Sequence, residues 1–170
     1  MNDLVLPAHA TGVVVLLAGP HDRELAAELH RRDLGTVGVS APEPGAGPLA
    51  DQVIELVDWL GEHGPTADLE IGLFGETTGS AAALLAAAAR PDSVRAVVAT
   101  GGRPELAGPA LPDVSAPTLL LVPDEQAVDR HRQACATMTV TAQLRVVADT
   151  AVAEQASAWF DSYLEPRGNR

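Results

Sequence analysis

The aliphatic residues of this chain fall in short blocks, many of them β-branched, and between the blocks they recur at helical spacing. Val13-Val14-Val15-Leu16-Leu17 is continuous and is closed by Ala18-Gly19-Pro20, which predicts a buried strand. Asp22 to Asp33 carries Leu25, Ala26 and Leu29 on one face and Arg23, Arg31 and Arg32 elsewhere, the pattern of an amphipathic helix. A short strand is expected at Gly35–Val39, followed by a Pro- and Gly-rich loop over 41–48. Leu49 to Glu62 then brings Val53, Leu56, Val57 and Leu60 to one helix face. Further strands are predicted at Leu69–Phe74, Val94–Ala99, Thr118–Val122 and Leu144–Val147. Helices are expected at Thr78–Ala89, Glu125–Thr137 and Ala151–Tyr163, with a frayed tail from Pro166 to Arg170.

This alternation of strand and helix predicts an α/β fold, a doubly wound and mostly parallel sheet with helices on both faces. Loop 41–48 does not divide the chain, because the alternation resumes directly after it; a single domain over 1–165 is expected. In such sheets ligands bind outside the carboxyl ends of the strands. The loops to inspect are therefore 19–23, 40–48, 75–79, 100–105, 123–126 and 148–150.

Composition narrows the function classes. The chain has 170 residues and a formal net charge of −12, a balance that repels phosphate backbones and anionic lipid. Nucleic acid and membrane are poor partners for it. The longest aliphatic run, Val13 to Leu17, is too short to span a bilayer, and Met1-Asn2-Asp3 does not open a basic, then apolar, leader. A cytoplasmic protein is expected. Cys135 is the only cysteine, which excludes an internal disulfide; with five histidines scattered along the chain, no transition-metal constellation is visible. No cofactor is expected, and a homo-oligomer is compatible with the composition.

The most specific segment is Ile71-Gly72-Leu73-Phe74-Gly75-Glu76-Thr77-Thr78-Gly79-Ser80, followed by Ala81-Ala82-Ala83-Leu84-Leu85. Strand, tight turn with glycines four apart, and a helix of small residues make up a nucleophile elbow, with Thr77 where serine is usual. The segment resembles the dienelactone-hydrolase-like branch of the α/β-hydrolases, and the resemblance covers nearly all of the chain. Asp3-Leu4-Val5-Leu6-Pro7 is similar to the family's early strand. Arg90-Pro91, Val94-Arg95-Ala96-Val97-Val98, Gly101-Gly102-Arg103-Pro104-Glu105-Leu106-Ala107-Gly108 and Ala116-Pro117-Thr118-Leu119-Leu120-Leu121-Val122 follow in the family's order. The resemblance implies a compact hydrolase fold, with little room in this length for a lid.

The resemblance also implies a nucleophile, a histidine base, an acid that orients it and two backbone donors for an oxyanion. Thr77 keeps a hydroxyl, but the elbow holds its nucleophile at positive φ, a steric outlier for a β-branched residue. Either the turn has relaxed or the strain is tolerated. Asp124, just after the strand ending at Val122, is the candidate acid. The family's histidine loop corresponds to Ala148-Asp149-Thr150-Ala151-Val152, which contains no histidine. The family's His-Gly after the first long parallel strand is replaced by Ala18-Gly19, and Pro20 has no N–H to donate. Only the N–H of Thr78 remains as an obvious oxyanion donor.

His21 follows Pro20 at a strand end, so it is the candidate for a relocated base; its bland alternative is an exposed residue at a helix start. For Thr77 that alternative is a hydroxyl that caps the following helix. Glu76 and Asp124 are candidates for a carboxylate pair, against two solvated loop acids. Arg103 is a candidate for neutralising a substrate carboxylate, against a partner for Glu105. His30, His63 and His131 fall on predicted helices or their ends, away from the strand tips, His9 in an early turn, and Cys135 is expected to be a packed small residue. Gly19, Pro20, Glu76, Thr78 and Arg103 are then the expected lining of a crevice whose catalytic groups are Thr77, His21 and Asp124.

Three functions follow from this pattern. The first is a hydrolase-like protein with an eroded triad, binding a small acyl, lactone or polyketide-like molecule and doing vestigial or non-hydrolytic chemistry on it. The second is an ester or lactone hydrolase that uses Thr77 with His21. The third is a catalytically silent scaffold or interaction protein that keeps the fold and uses its surface.

Overall fold

A computed structural model describes residues 3–17, 19–40 and 45–165. Ala18, the Ala41–Pro44 part of the Pro-rich loop and the tail expected to fray from Pro166 lie outside the described residues. The strands are β1 (Gly12–Leu17), β2 (Leu34–Val39), β3 (Glu70–Glu76), β4 (Val94–Thr100), β5 (Thr118–Val122) and β6 (Ala142–Val146). They form one 6-stranded sheet in the order β2-β1-β3-β4-β5-β6, and every neighbouring pair is parallel. The connecting helices are α1 (Asp22–Arg31), α2 (Ala46–Glu62), α3 (Thr78–Ala89), α4 (Val128–Thr137) and α5 (Val152–Tyr163).

The side chains of β1 explain why that strand is a continuous apolar run. Val13, Val15 and Leu17 pack with α2 and α3, whereas Val14 and Leu16 pack with Leu25 and Leu29 of α1 and Trp159 and Phe160 of α5. Each residue of the strand meets a helix layer, so none of them faces water. The small residues of the central strands and of α3 let these layers approach. A methyl group at Gly72 would lie 2.7 Å from the ring of Phe160. Helix α3 ends at Arg90-Pro91, where proline disfavours helical geometry in the residue before it. Among the described residues no helix is long and apolar enough to cross a membrane.

Three expectations are corrected. The early strand expected at Asp3–Pro7 is reduced to one antiparallel bridge between Val5 and Thr36. Leu6 lies over Gly35, and Pro7 has no N–H to extend a ladder. The segment after β4 is not simply a loop, because Pro104–Asp113 winds into 3-10 turns broken at Gly108, where φ is 45°. The helix expected over Glu125–Thr137 begins as a separate 3-10 turn, Glu125–Ala127, because the Asp124 side chain accepts a hydrogen bond from the Ala127 N–H.

Candidate active site

The turn between β3 and α3 keeps the strain of an elbow. Thr77 has φ 51° and ψ −117°, a conformation that a β-branched residue adopts only when its surroundings impose it. Those surroundings are specific. The Thr77 N–H donates to the Thr100 carbonyl at 3.2 Å, and the Thr77 carbonyl accepts from the Ser80 N–H at 3.1 Å. Gly102, at φ 65°, packs so closely that a methyl group there would lie 2.0 Å from the Thr77 carbonyl oxygen. A methyl group at Gly75 would likewise lie 2.0 Å from the carbonyl oxygen of Gly79, and one at Gly79 would sit tightly, at 3.1 Å, against Leu17. Ser80 Oγ is buried 2.9 Å from the carbonyls of Thr100 and Gly101 and donates its one hydrogen among them, tying α3 to the end of β4. The Thr77 side chain is exposed and does not cap α3, so the capping alternative is excluded.

His21 occupies the N-cap position of α1, with its side chain only 13% exposed. Its main-chain N–H donates to Glu76 Oε2 at 2.9 Å, and its ring Nδ1 is hydrogen-bonded to Glu76 Oε1. The other ring nitrogen, Nε2, lies 3.0 Å from Asp149 Oδ1. The two carboxylates differ sharply in setting, because Glu76 is 3% exposed and Asp149 is 79% exposed. Burial works to lower the His21 pKa, but Glu76 and, after it, Asp149 favour the charged ring and hold the pKa above its ordinary value. Glu76 is therefore no solvated loop acid: β3 extends through it, pairing Glu76 with Thr100, and its carboxylate lies under the loop after β1.

That loop is spent on carboxylates. The Gly19 N–H donates to Asp22 Oδ2 at 2.9 Å, Pro20 has none, and the His21 N–H is taken by Glu76. Burial, and then the nearby Glu76 charge, push the Asp22 pKa up against the opposing effects of the Gly19 hydrogen bond and His21. A methyl group at Gly19 would lie 1.9 Å from Glu76 Oε2, so only glycine admits the carboxylate here. Main-chain donors that would face an oxyanion instead face fixed negative charge.

Comparison with solved structures gives this fold its relatives. The dienelactone hydrolase of Anabaena variabilis is 34% identical, with a TM-score of 0.90 over 96% of this chain and 92% of its own. The chain belongs to the dienelactone-hydrolase-like branch of the α/β-hydrolases. Est1E from Butyrivibrio proteoclasticus is 13% identical with a TM-score of 0.75, covering 94% of this chain and 92% of its own. The monoacylglycerol lipase of Paleococcus ferrophilus is 13% identical with a TM-score of 0.73, covering 95% and 98%. These two share the fold. Two Mycobacterium tuberculosis proteins provisionally named phosphoribosyl transferases are 40% identical over 129 residues, 68% of this chain. The chain spans only 29% of the length of those curated relatives. No family model matches it.

Against the hydrolase pattern, the structure brings together some of the expected residues and separates others. His21 and Glu76 meet at the tips of β1 and β3. Thr77 is the next residue, but its hydroxyl has no hydrogen-bonding partner among the described residues, and both nitrogens of His21 are engaged by carboxylates. Asp124 is exposed, caps the turn that follows it, and contacts no histidine among the described residues. Glu76, and not Asp124, is the carboxylate hydrogen-bonded to the His21 ring, and the two acids do not pair. Arg103 is exposed and bound to Glu105 at 3.0 Å. The Thr78 N–H, at the start of α3, has no partner among the described residues.

One histidine was misplaced by periodicity. His131 lies on α4 as expected, yet it is fully buried, with Nδ1 2.9 Å from the Ala127 carbonyl and Nε2 3.2 Å from the Gly101 carbonyl. It therefore braces the loop at the tip of β4 rather than lying away from the strand ends. His30 bonds Thr36, and Cys135 is a half-buried thiol whose pKa burial raises. Among the described residues no His, Cys, Asp and Glu side chains are grouped to hold a metal.

Asp149, Asp22, Ser80 and Gly102 were not singled out from the sequence. The available signal for Asp149 was its position in the loop where the family carries its histidine. A carboxylate now stands in that loop, and the histidine it meets comes from the loop after β1.

Proposed function

We propose that this protein binds a small neutral organic molecule at the tips of β1 and β3 and transfers protons with His21 rather than hydrolysing esters. The observation that carries this reading is the Glu76–His21 pair. A buried carboxylate holds Nδ1 and an exposed one, Asp149, covers Nε2, so a ligand that displaces Asp149 meets a ring already oriented for general-base work. With a carbonyl compound, Nε2 of the neutral ring, its own proton released to solvent beforehand, takes the α-proton as the C–H bond breaks, and the electron pair moves into the carbonyl to form an enolate. The imidazolium then returns a proton to carbon, so the net change is isomerisation or exchange. Glu76 accepts from Nδ1–H throughout, and the Thr78 N–H is the main-chain donor left for the enolate oxygen.

The same geometry speaks against acyl transfer. Gly19 and His21 spend their N–H groups on Asp22 and Glu76, and loss of one oxyanion donor costs about 10²–10³ in rate. A second reading, ester or lactone hydrolysis by Thr77, is favoured by the strain preserved at φ 51°.

One pair of assays separates the two. Deuterium uptake at the α-carbons of 2-pentanone in D2O, followed by NMR, is expected to fall roughly a hundredfold in His21→Gln and to stay within about twofold in Thr77→Ala. Release of p-nitrophenol from its acetate is expected to be no faster than with Thr77→Ala. Hydrolysis that depends on Thr77, with no ketone exchange, would establish the second reading instead.

A further inference from the structure

We propose that Asp149 is the specificity-determining residue of this site: it covers His21 Nε2 until a neutral ligand displaces it, and its charge turns small organic anions away. The inference rests on the reading of His21 as the working group. It starts from the unequal holding of the two ring nitrogens. Nδ1 faces a carboxylate that is 3% exposed, whereas Nε2 faces one that is 79% exposed, at 3.0 Å. A solvated ion pair of this kind stabilises a structure by a factor of about five at most, so a ligand that hydrogen-bonds Nε2 displaces it readily.

Position and charge agree with that role. Asp149 opens the 3-10 turn Asp149–Ala151 after the edge strand β6, and apart from His21 no other ion-pair partner of its carboxylate is found among the described residues. The charged groups that face the imidazole are Glu76 from β3 and Asp149 from this turn, with Asp22 beside it on α1. Arg103, the basic residue expected to receive a substrate carboxylate, is held by Glu105. An incoming anion therefore meets fixed negative charge with a single imidazole to offset it. A neutral carbonyl compound meets only the cost of moving Asp149.

The test uses the full chain and its Asp149→Asn variant, with 2-pentanone and 4-oxopentanoate as a matched neutral and anionic ketone. Two quantities are read by NMR: deuterium uptake by each ketone, and the His21 Hε1 signal, assigned with His21→Gln, during pH and ligand titrations. The wild-type protein is expected to favour the neutral ketone by about tenfold, and Asp149→Asn to narrow that preference roughly five- to tenfold. The His21 midpoint is expected to fall in the variant, which has lost one of its two carboxylates.

A preference that Asp149→Asn leaves unchanged would overturn the charge filter, and an unmoved midpoint would overturn the contact itself. If neither ketone exchanges, the proton-transfer reading fails. The filter is then judged by the ratio of the two dissociation constants from the Hε1 shifts, where equal binding of both ketones would end it.

Discussion

His21 gives Glu76 two hydrogen bonds, one from its main chain and one from its ring, across 55 positions of sequence. The pair joins the loop after β1 to the last residue of β3, so the carboxylate that orients the imidazole also fixes the start of α1. Orientation and local stability are thus carried by the same side chain.

Replacing Glu76 tests that coupling. Glu76→Ala removes the acceptor of both bonds at a buried position and is expected to lower stability by about 2–4 kcal/mol. Glu76→Gln keeps an acceptor for the His21 N–H and is expected to lose less. Urea denaturation at pH 6 measures both; a loss below about 0.5 kcal/mol for Glu76→Ala would mean that the pair does not form in solution.

The pair also makes stability depend on pH. The folded chain holds the His21 proton more tightly than the unfolded chain does, since the folded pKa is raised from an ordinary value of 6.5. Its stabilisation is therefore complete below that value and is lost as pH rises through the folded pKa. The stability difference between wild type and His21→Gln is expected to be larger at pH 6 than at pH 9. A difference that grows toward pH 9 would reverse the sign and remove the carboxylates as the cause.

Thr77 stores strain that glycine would release. Thr77→Gly is expected to raise stability by about 1–2 kcal/mol, the relief at positive φ exceeding the added freedom of the unfolded chain. A thermal melt reads this directly, and a lower Tm would show that the turn is not strained. Ketone exchange should survive in this variant, because the hydroxyl takes no part in proton transfer.

Gly19→Ala is expected to act at a distance from its own backbone. Its new methyl group would sit 1.9 Å from Glu76 Oε2, so the carboxylate must move and His21 loses its partner. The His21 titration midpoint should drop, as followed by NMR, and deuterium exchange should fall with it. An unchanged midpoint would mean that the loop yields instead of Glu76.

Much of the architecture was readable from local pattern. Val13–Leu17 and Thr118–Val122 appear as apolar blocks because both faces of a parallel sheet are covered. The Gly75 and Gly79 spacing marked the elbow because a side chain at Gly75 would run into the Gly79 carbonyl and one at Gly79 would crowd Leu17. His21 was singled out by its place after the first strand, and the lack of a histidine near residue 149 was plain. These features depend on neighbours within a few residues of one another.

The partners of His21 depend on which strand tips adjoin. The sheet order places β1 beside β3, with Leu17 opposite Gly75, so the residues just beyond each strand come together. That adjacency converts Glu76 from an expected loop acid into a buried acceptor. It also leaves Asp124 capping its own turn beyond β5 and lets Asp149 reach the imidazole from the far end of the chain. Periodicity records which face of an element is apolar, because burial repeats with the geometry of that element. A carboxylate's partner is set by packing between segments distant in sequence, which only the assembled sheet brings within hydrogen-bonding reach.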